Sequence, residues 1–178
     1  MSGSDLLKGK RILIVDDEPD VLDLLEEFLS ESETFRAASY DEAKALLESR
    51  DFDIAVLDIM GVDGYRLLAM ANRKHIPAVM LTAHAFTPEH LTRSIKEGAV
   101  SYIPKEEMGR IAEFLDEILK AMKEGRDPLE SWQRKFPSSY FEKRWGAAWQ
   151  DADKDFWTRF RASIRAGKSP SGEQEAEG

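Results

Sequence analysis

Five short apolar runs constrain the fold of this chain more than any other feature of its sequence. Each run has four or five residues, and each is followed by a longer segment whose apolar residues recur at helical spacing. Strands that alternate with helices predict a parallel sheet, because each crossover helix returns the chain to the same edge. The predicted strands are 11–15, 34–38, 54–57, 77–81 and 99–103, of which the second is weak.

Local signals place several helix ends. Ser39 stands three residues before Glu42, which predicts a capping box at the start of the second helix. Thr87 before Pro88 predicts an N-cap followed by proline in the first turn, and Gly98 predicts the end of that helix. These signals mark the helices after the second and fourth strands, and apolar residues at helical spacing follow the other three strands.

Polar residues follow four of the five strands at the point where each strand ends. Asp16 and Asp17 follow the first strand, Asp58 the third, Thr82 the fourth and Lys105 the fifth. Each has an ordinary explanation alone, since acidic residues cap helices and threonine or lysine is common in loops. Because the carboxyl ends of parallel strands share one edge, however, we expect all five side chains to converge.

Such a cluster has a definite chemistry. Carboxylates that lie close together repel one another unless a cation compensates them, and Mg²⁺ prefers hard oxygen ligands of this kind. A carboxylate beside Mg²⁺ can act as a nucleophile toward phosphorus. A hydroxyl and an ammonium group can then hold the oxygens of the transferred phosphoryl group.

Residues 10–121 resemble the receiver domain of two-component response regulators, with chemotaxis regulators as the simplest relatives. The resemblance implies an α/β fold of the flavodoxin-like type, in which a five-stranded parallel sheet of order 2-1-3-4-5 carries helices on both faces. The matching blocks are Ile-Leu-Ile-Val-Asp16-Asp17-Glu-Pro, Ile-Ala-Val-Leu-Asp58, Val-Met-Leu-Thr82-Ala83 and Gly98-Ala-Val-Ser-Tyr102-Ile-Pro104-Lys105.

The resemblance also implies a role for each motif residue. Asp58 would accept a phosphoryl group from a histidine kinase or a histidine phosphotransfer protein. Mg²⁺ would be held by Asp17 directly, by Asp16 through water, by Asp58, and by the backbone carbonyl of Met60. The chain would then be a signalling switch rather than an enzyme, with catalysis limited to its own phosphorylation and dephosphorylation.

The remaining implied roles concern the response to phosphorylation. Thr82 would hydrogen-bond the phosphoryl group and Lys105 would pair with it. Tyr102 would be an aromatic switch that follows Thr82, and the face formed by the fourth helix, fifth strand and fifth helix would change. The peptide bond before Pro104 is expected to be cis.

One loop departs from the family pattern. The segment from Asp58 to Gly64 has no proline and is two residues shorter than usual before Gly64. The expected nucleophile, Asp58, is present, but the shortened loop leaves undecided how the Met60 carbonyl would face the metal. Asp63 in this loop is predicted to cap a helix rather than to bind metal.

The composition changes after the predicted fifth helix. We divide the chain into a receiver domain, 1–123, and an aromatic α-helical extension, 124–178, with a disordered tail from about residue 167. Aromatic residues four apart indicate amphipathic helices, and Ser139 is expected to cap one of them before Glu142. All four tryptophans lie there, at 132, 145, 149 and 157.

Two interpretations of the extension stay open. Its helices either pack on the receiver or on each other, or they form a surface for a partner or a homodimer. Its length and pattern do not suggest a winged-helix or helix-turn-helix unit, so we expect no nucleic-acid output and no membrane binding. The downstream partner is expected to be a protein of unknown identity.

Composition excludes other classes of function. The chain has no cysteine, which excludes disulfides and thiolate metal sites, and its formal net charge is −9. Neither a signal peptide nor a membrane span is expected, so we predict a cytoplasmic protein. Two alternatives to a phosphorylated switch remain: an interaction module that works without phosphorylation, and a DNA-binding regulator acting through the extension.

Overall fold

The computed structural model describes residues 6–83 and 87–166. Its strands form one five-stranded parallel sheet in the order β2-β1-β3-β4-β5, which confirms the predicted flavodoxin-like fold. The central strands are buried on both faces, as expected for a sheet covered by crossover helices. The strands are β1 (Arg11–Val15), β2 (Glu33–Ala37), β3 (Ile54–Asp58), β4 (Ala78–Thr82) and β5 (Ser101–Pro104).

The helices of the first 123 residues lie in two layers. Helix α1 contacts α5, whereas α2 contacts α3, so the connections alternate between the faces of the sheet. A short 3₁₀ helix, Lys105–Arg110, precedes α5. The helices are α1 (Pro19–Phe28), α2 (Tyr40–Ser49), α3 (Gly64–Arg73), α4 (Pro88–Lys96) and α5 (Ile111–Lys123).

The predicted helix signals act largely as expected. The Ser39 hydroxyl accepts the Glu42 N–H at 3.2 Å, and the Thr87 hydroxyl accepts the His90 N–H at 3.2 Å. Gly98 has a φ of 99° just after α4, a conformation that glycine adopts without strain. Asp63 stands at the N-cap position of α3, but its side chain makes no capping hydrogen bond.

Two sequence predictions are wrong. The peptide bond before Pro104 is trans, the isomer that X–Pro bonds favour intrinsically, and Pro104 lies in the strand in register with Thr82. Ser139 does not cap a helix, since Pro137 holds the N-cap position and Ser138 already lies in the first turn. The expected disorder from about residue 167 lies outside the described residues.

The extension forms three further helices that pack on the first 123 residues. They are α6 (Pro128–Lys135), α7 (Ser138–Trp145) and α8 (Lys154–Ala166). The indole of Trp132 is 5% exposed, and the rings of Phe141 and Phe160 are 1% exposed. The buried residues of the extension and of the sheet form one continuous core, so the first interpretation of the extension is the one observed. Among residues 6–83 and 87–166, no helix is long and apolar enough to cross a membrane.

Candidate functional site

The carboxyl edge of the sheet brings together the side chains that follow β1, β3 and β5. The Lys105 ammonium lies 2.8 Å from Asp16 Oδ2 and 3.4 Å from Asp58 Oδ1. The side chains of Asp16, Asp58 and Lys105 are 0%, 8% and 11% exposed. The lysine that follows edge strand β5 therefore bridges the carboxylates at the ends of two central strands, β1 and β3, in a nearly closed pocket.

Glu18 also contributes to this pocket, although it was not among the predicted site residues. Its carboxylate lies 3.3 Å from the Lys105 ammonium, and its backbone N–H donates to Asp16 Oδ1 at 2.9 Å. The carboxylates of Asp16, Asp17 and Glu18 each offer an oxygen within 4.8 Å of the others. The position of Glu18, directly after the acidic pair, was the only sequence signal for it.

Burial governs the electrostatics of the pocket. Loss of water contact, followed by the charge of Asp16, raises the pKa of Asp58 to about 7 despite the opposing Lys105 ammonium. Burial likewise raises the pKa of Asp16, against the hydrogen bond from Lys105. Burial alone would lower the pKa of Lys105, but its contact with Asp16 and the charge of Asp58 shift it upward. One ammonium therefore does not compensate all the carboxylates around it.

This imbalance fits a divalent cation. Asp16, Asp17 and Asp58 supply hard oxygen donors, and the raised pKa of Asp58 shows that further positive charge would be favourable. Asp17 is the exposed member of the set, which leaves one side of the cluster open to solvent. The residues present therefore suit Mg²⁺, which binds few carboxylates and keeps several waters.

The loop after Asp58 closes tightly against the cluster. A Cβ at Gly61, whose φ is 82°, would lie 2.7 Å from Asp17 Cγ. A Cβ at Gly64 would meet the backbone of Ile59 at 2.9 Å. The shortened loop thus depends on two glycines for close approach. The Met60 side chain is 54% exposed, and the role of its carbonyl as a metal ligand stays a prediction.

Thr82 ends β4, one residue beyond the register partner of Asp58, and Tyr102 lies on the neighbouring strand β5. Both are buried, and Thr82 Oγ1 makes no hydrogen bond of good geometry to any described residue. Burial, followed by the charge of Tyr65, raises the pKa of Tyr102, while the Thr87 backbone and the Thr82 side chain oppose that shift. A threonine hydroxyl without a good partner can turn toward a new acceptor without breaking an existing bond.

A family model described as the response regulator receiver domain matches residues 12–118. The chain is 34% identical over 102 residues to the regulatory protein VanRc of Enterococcus gallinarum. It is 33% identical over 105 residues to the transcriptional regulatory protein TcrA of Mycobacterium tuberculosis. These matches cover 54% and 56% of this chain but only 44% and 41% of the relatives, so the chain spans less than half of their length.

Solved structures give the same picture. The CheY-like receiver domain protein of Methanospirillum hungatei JF-1 is 30% identical, with a TM-score of 0.60, and the match covers 66% of this chain and 99% of that one. NtrX of Brucella abortus is 33% identical, with a TM-score of 0.56, over 65% of this chain and 28% of its own length. In each case about a third of this chain lies outside the match.

Proposed function

This chain belongs to the response regulator receiver family, and on that premise we propose that it is a phosphorylation-controlled switch that accepts a phosphoryl group on Asp58. The family acts in two-component signalling and is not a family of conventional enzymes. The observation that carries the proposal is the Lys105 ammonium between Asp16 and Asp58 at the carboxyl edge of the sheet. That arrangement presents a carboxylate beside a cation, as phosphoryl transfer requires.

In the proposed step, an Asp58 oxygen attacks the phosphorus of a phosphohistidine on a histidine kinase or a phosphotransfer protein. An O–P bond forms, the P–N bond breaks, and the released imidazole nitrogen takes up a proton from solvent. Lys105, 3.4 Å from Asp58 Oδ1, neutralises charge on the phosphoryl oxygens, and the Thr82 hydroxyl donates to one of them. Water that enters the open side of the cluster can later hydrolyse the acyl phosphate.

The metal would be held by Asp16, Asp17, Asp58 and the Met60 carbonyl. When bound, Mg²⁺ would offset the negative charge that accumulates on the phosphoryl group. The chain's own part is to fix the carboxylates: the Glu18 N–H orients Asp16 at 2.9 Å, and Gly61 allows the loop to approach Asp17. Glu18 adds a further carboxylate next to these ligands.

We further propose that signalling proceeds through protein contacts in the cytoplasm and not through DNA. The support is the way the extension is used in the fold. The aromatic side chains of α6–α8 pack into the same buried core as the receiver, so their apolar faces are occupied by contacts within the chain.

The test of the proposal is transfer of a label from radiolabelled acetyl phosphate. The wild-type chain is expected to gain acid-stable, base-labile label that depends on Mg²⁺, and Asp58→Ala is expected to gain none. Asp63→Ala, which removes an exposed carboxylate in the same loop, is the matched control and is expected to label normally. Failure of the wild-type chain to label in the presence of Mg²⁺ would refute the proposal.

A second candidate function is an interaction module that works without phosphorylation. The tight loop after Asp58, where Gly64 approaches the Ile59 backbone, favours it, because that loop is shorter than the family pattern. The two candidates differ in one outcome. A module of this kind would bind its partner equally well as wild type and as Asp58→Ala, whereas a phosphorylated switch would lose its response to acetyl phosphate in the variant.

A further inference from the structure

A cleft of about 540 Å³ lies between α4 and the segment of the extension that leads into α8. One wall consists of side chains of α4. The other consists of residues from the turn after α7, from the 3₁₀ turn Asp151–Asp153 and from the first turn of α8. The volume of the cleft lies in the range of about 300–1,000 Å³ that is typical of small-molecule sites. The cleft contains none of the residues of the proposed phosphoryl site, so that function does not account for it.

The buried part of the lining is aromatic. Trp149 and Trp157 are 6% and 3% exposed, and their ring centroids lie 4.9 Å apart with the planes at 71°. Further rings hold them from behind, since Trp149 packs on Phe141 and Trp157 packs on Phe160. Both indoles are therefore fixed before any ligand enters, which lowers the entropic cost of binding. Among aromatic side chains, the indole ring attracts cations most strongly.

The positive charges of the lining are neutralised within the protein. The Arg93 guanidinium on α4 pairs with Glu97, one turn further along the same helix. Lys96 Nζ lies 2.6 Å from Asp153 Oδ2 on the opposite wall, and this ion pair joins the two walls of the cleft. Because each cation of the lining already has a carboxylate partner, neither is left to attract an anionic ligand.

One carboxylate of the lining has no such partner. Glu89 is exposed in the first turn of α4 and forms no ion pair with any cation of the described residues. The lining thus holds three carboxylates, those of Glu89, Glu97 and Asp153, against the two cations of α4, which gives a net charge of −1. A positively charged ligand would offset this excess, whereas an anion would be repelled by it.

We propose that this cleft is a binding site for an organic cation with a flat aromatic body. The indoles of the extension would hold the aromatic body, and the unpaired carboxylate at the rim would hold the charge. The site needs both parts of the chain, since α4 supplies the charged wall and the extension supplies the aromatic one. Binding requires neither phosphorylation nor Mg²⁺, so this inference does not rest on the proposed function.

Calorimetric titration of the full-length chain in EDTA at pH 8, without a phosphoryl donor, tests the proposal. Three probes share one bicyclic skeleton: N-methylquinolinium is a cation, quinoline is uncharged at this pH, and quinoline-2-carboxylate is an anion. N-methylquinolinium is expected to bind about fivefold more tightly than quinoline, and quinoline-2-carboxylate more weakly than either. Equal affinities, tighter binding of the anion, or no binding of N-methylquinolinium would overturn the proposal.

The indole N–H signals of the tryptophans in an NMR titration locate the bound probe. The signals of Trp149 and Trp157, which line the cleft, are expected to shift with N-methylquinolinium. Trp132 is the internal control, because its N–H donates to the Tyr102 carbonyl at 2.8 Å outside the lining, and its signal is expected to stay in place. A shift of Trp132 without shifts of the two cleft tryptophans would place the probe elsewhere and overturn the assignment.

A substitution that fills the cleft tests the site directly. Ala152 is exposed in the lining, so Ala152→Phe places a ring in the cleft without removing an existing side-chain contact. We expect this variant to lose measurable binding of N-methylquinolinium. Ala162→Phe, at an exposed position of α8 outside the lining, is the matched control and is expected to bind as wild type. Wild-type affinity in Ala152→Phe would contradict binding in this cleft.

Glu89→Gln separates the charge of the cleft from its shape. The variant is expected to bind N-methylquinolinium about threefold more weakly and quinoline as wild type does, because only the first probe is charged. Glu142→Gln, an exposed position of α7 outside the lining, is the control and is expected to change neither affinity. If Glu89→Gln leaves the ratio of the two affinities unchanged, the assignment of the cleft to a cation is wrong.

Discussion

Asp58 is the residue that joins the physical chemistry of this fold to its proposed role. Its carboxyl is buried at the end of a central strand, beside Asp16, with one lysine to compensate both. Because its pKa is about 7, ionisation of this buried carboxyl lowers the free energy of unfolding. A bound metal ion or a phosphoryl group would change the size of that loss. Two predictions follow at the scale of single side chains.

The first prediction concerns pH and stability without Mg²⁺. Because the pKa of Asp58 is higher in the folded chain than in the unfolded one, folding retains a proton between about pH 4 and 7. Stability from this group is therefore lost as pH rises through that window. Asp58→Asn removes the loss, and is expected to be more stable than wild type at pH 8 by on the order of 2 kcal/mol.

Urea unfolding in EDTA across this pH range measures the difference. The gain of Asp58→Asn should shrink toward pH 4, where wild type is also neutral at this position. Added Mg²⁺ should stabilise wild type more than the variant. A variant that is less stable than wild type at pH 8 would contradict the assignment of Asp58 as an uncompensated buried carboxylate.

The second prediction concerns Gly61. A methyl group there would overlap the Asp17 carboxylate, and its φ of 82° disfavours any side chain. Gly61→Ala is expected to destabilise the chain by about 1–2 kcal/mol and to weaken Mg²⁺ binding about tenfold or more. Gly109→Ala is the control, since a Cβ there meets nothing within 4 Å. Equal Mg²⁺ affinities by calorimetry would show that the loop does not shape the site.

Among the site residues, the sequence predicted those whose position depends only on topology. Asp16, Asp58 and Lys105 meet because parallel strands end at one edge, and that follows from strand order alone. Glu18 and Gly61 were missed because their contacts depend on the path of two loops. No periodicity in the sequence encodes a loop path.

At the scale of elements, the strands and caps were the most predictable features. Ser39 and Thr87 cap helices as expected, because a hydroxyl just before a helix can accept one of the backbone N–H groups that the first turn leaves without a partner. The peptide bond before Pro104 was mispredicted as cis, because that expectation came from the family resemblance and the local sequence allows either isomer. The docking of α6–α8 was left open, since an apolar helical face does not reveal what covers it.

The third prediction tests the cap of α4. Thr87→Ala removes the acceptor of the His90 N–H at the start of a nine-residue helix. We expect a loss of about 1 kcal/mol in unfolding free energy. Thr158→Ala, an exposed position within α8, is the control and should be neutral or slightly stabilising. Equal losses in the two variants would show that the effect is not capping.

At the scale of the whole molecule, charge and core are distributed differently. Residues 1–123 carry a net charge of −9, whereas residues 124–178 carry equal numbers of basic and acidic groups, so the acid excess lies in the receiver. The core, in contrast, runs without interruption from the sheet into α6–α8. The proposed boundary near residue 123 is therefore a boundary in sequence and charge, but not in the buried core.

The fourth prediction follows from the continuous core. Tryptophan fluorescence reports only on the extension, whereas far-ultraviolet circular dichroism is dominated by the larger receiver. Because the two share buried residues, both signals are expected to show one transition with the same midpoint in urea. An earlier fluorescence transition, separated from the loss of helix and strand signal, would show that the extension unfolds on its own.

The central claim is that Asp58 is a phosphoryl acceptor, and its most direct test is chemical trapping. The chain is incubated with acetyl phosphate and Mg²⁺, then treated with borohydride, which reduces an aspartyl phosphate to homoserine, and the peptides are mapped by mass spectrometry. We predict homoserine at position 58 in wild type, and none when EDTA replaces Mg²⁺ or when Asp58→Asn is used. Unmodified Asp58 under saturating acetyl phosphate, or trapping at another carboxylate, would contradict the account.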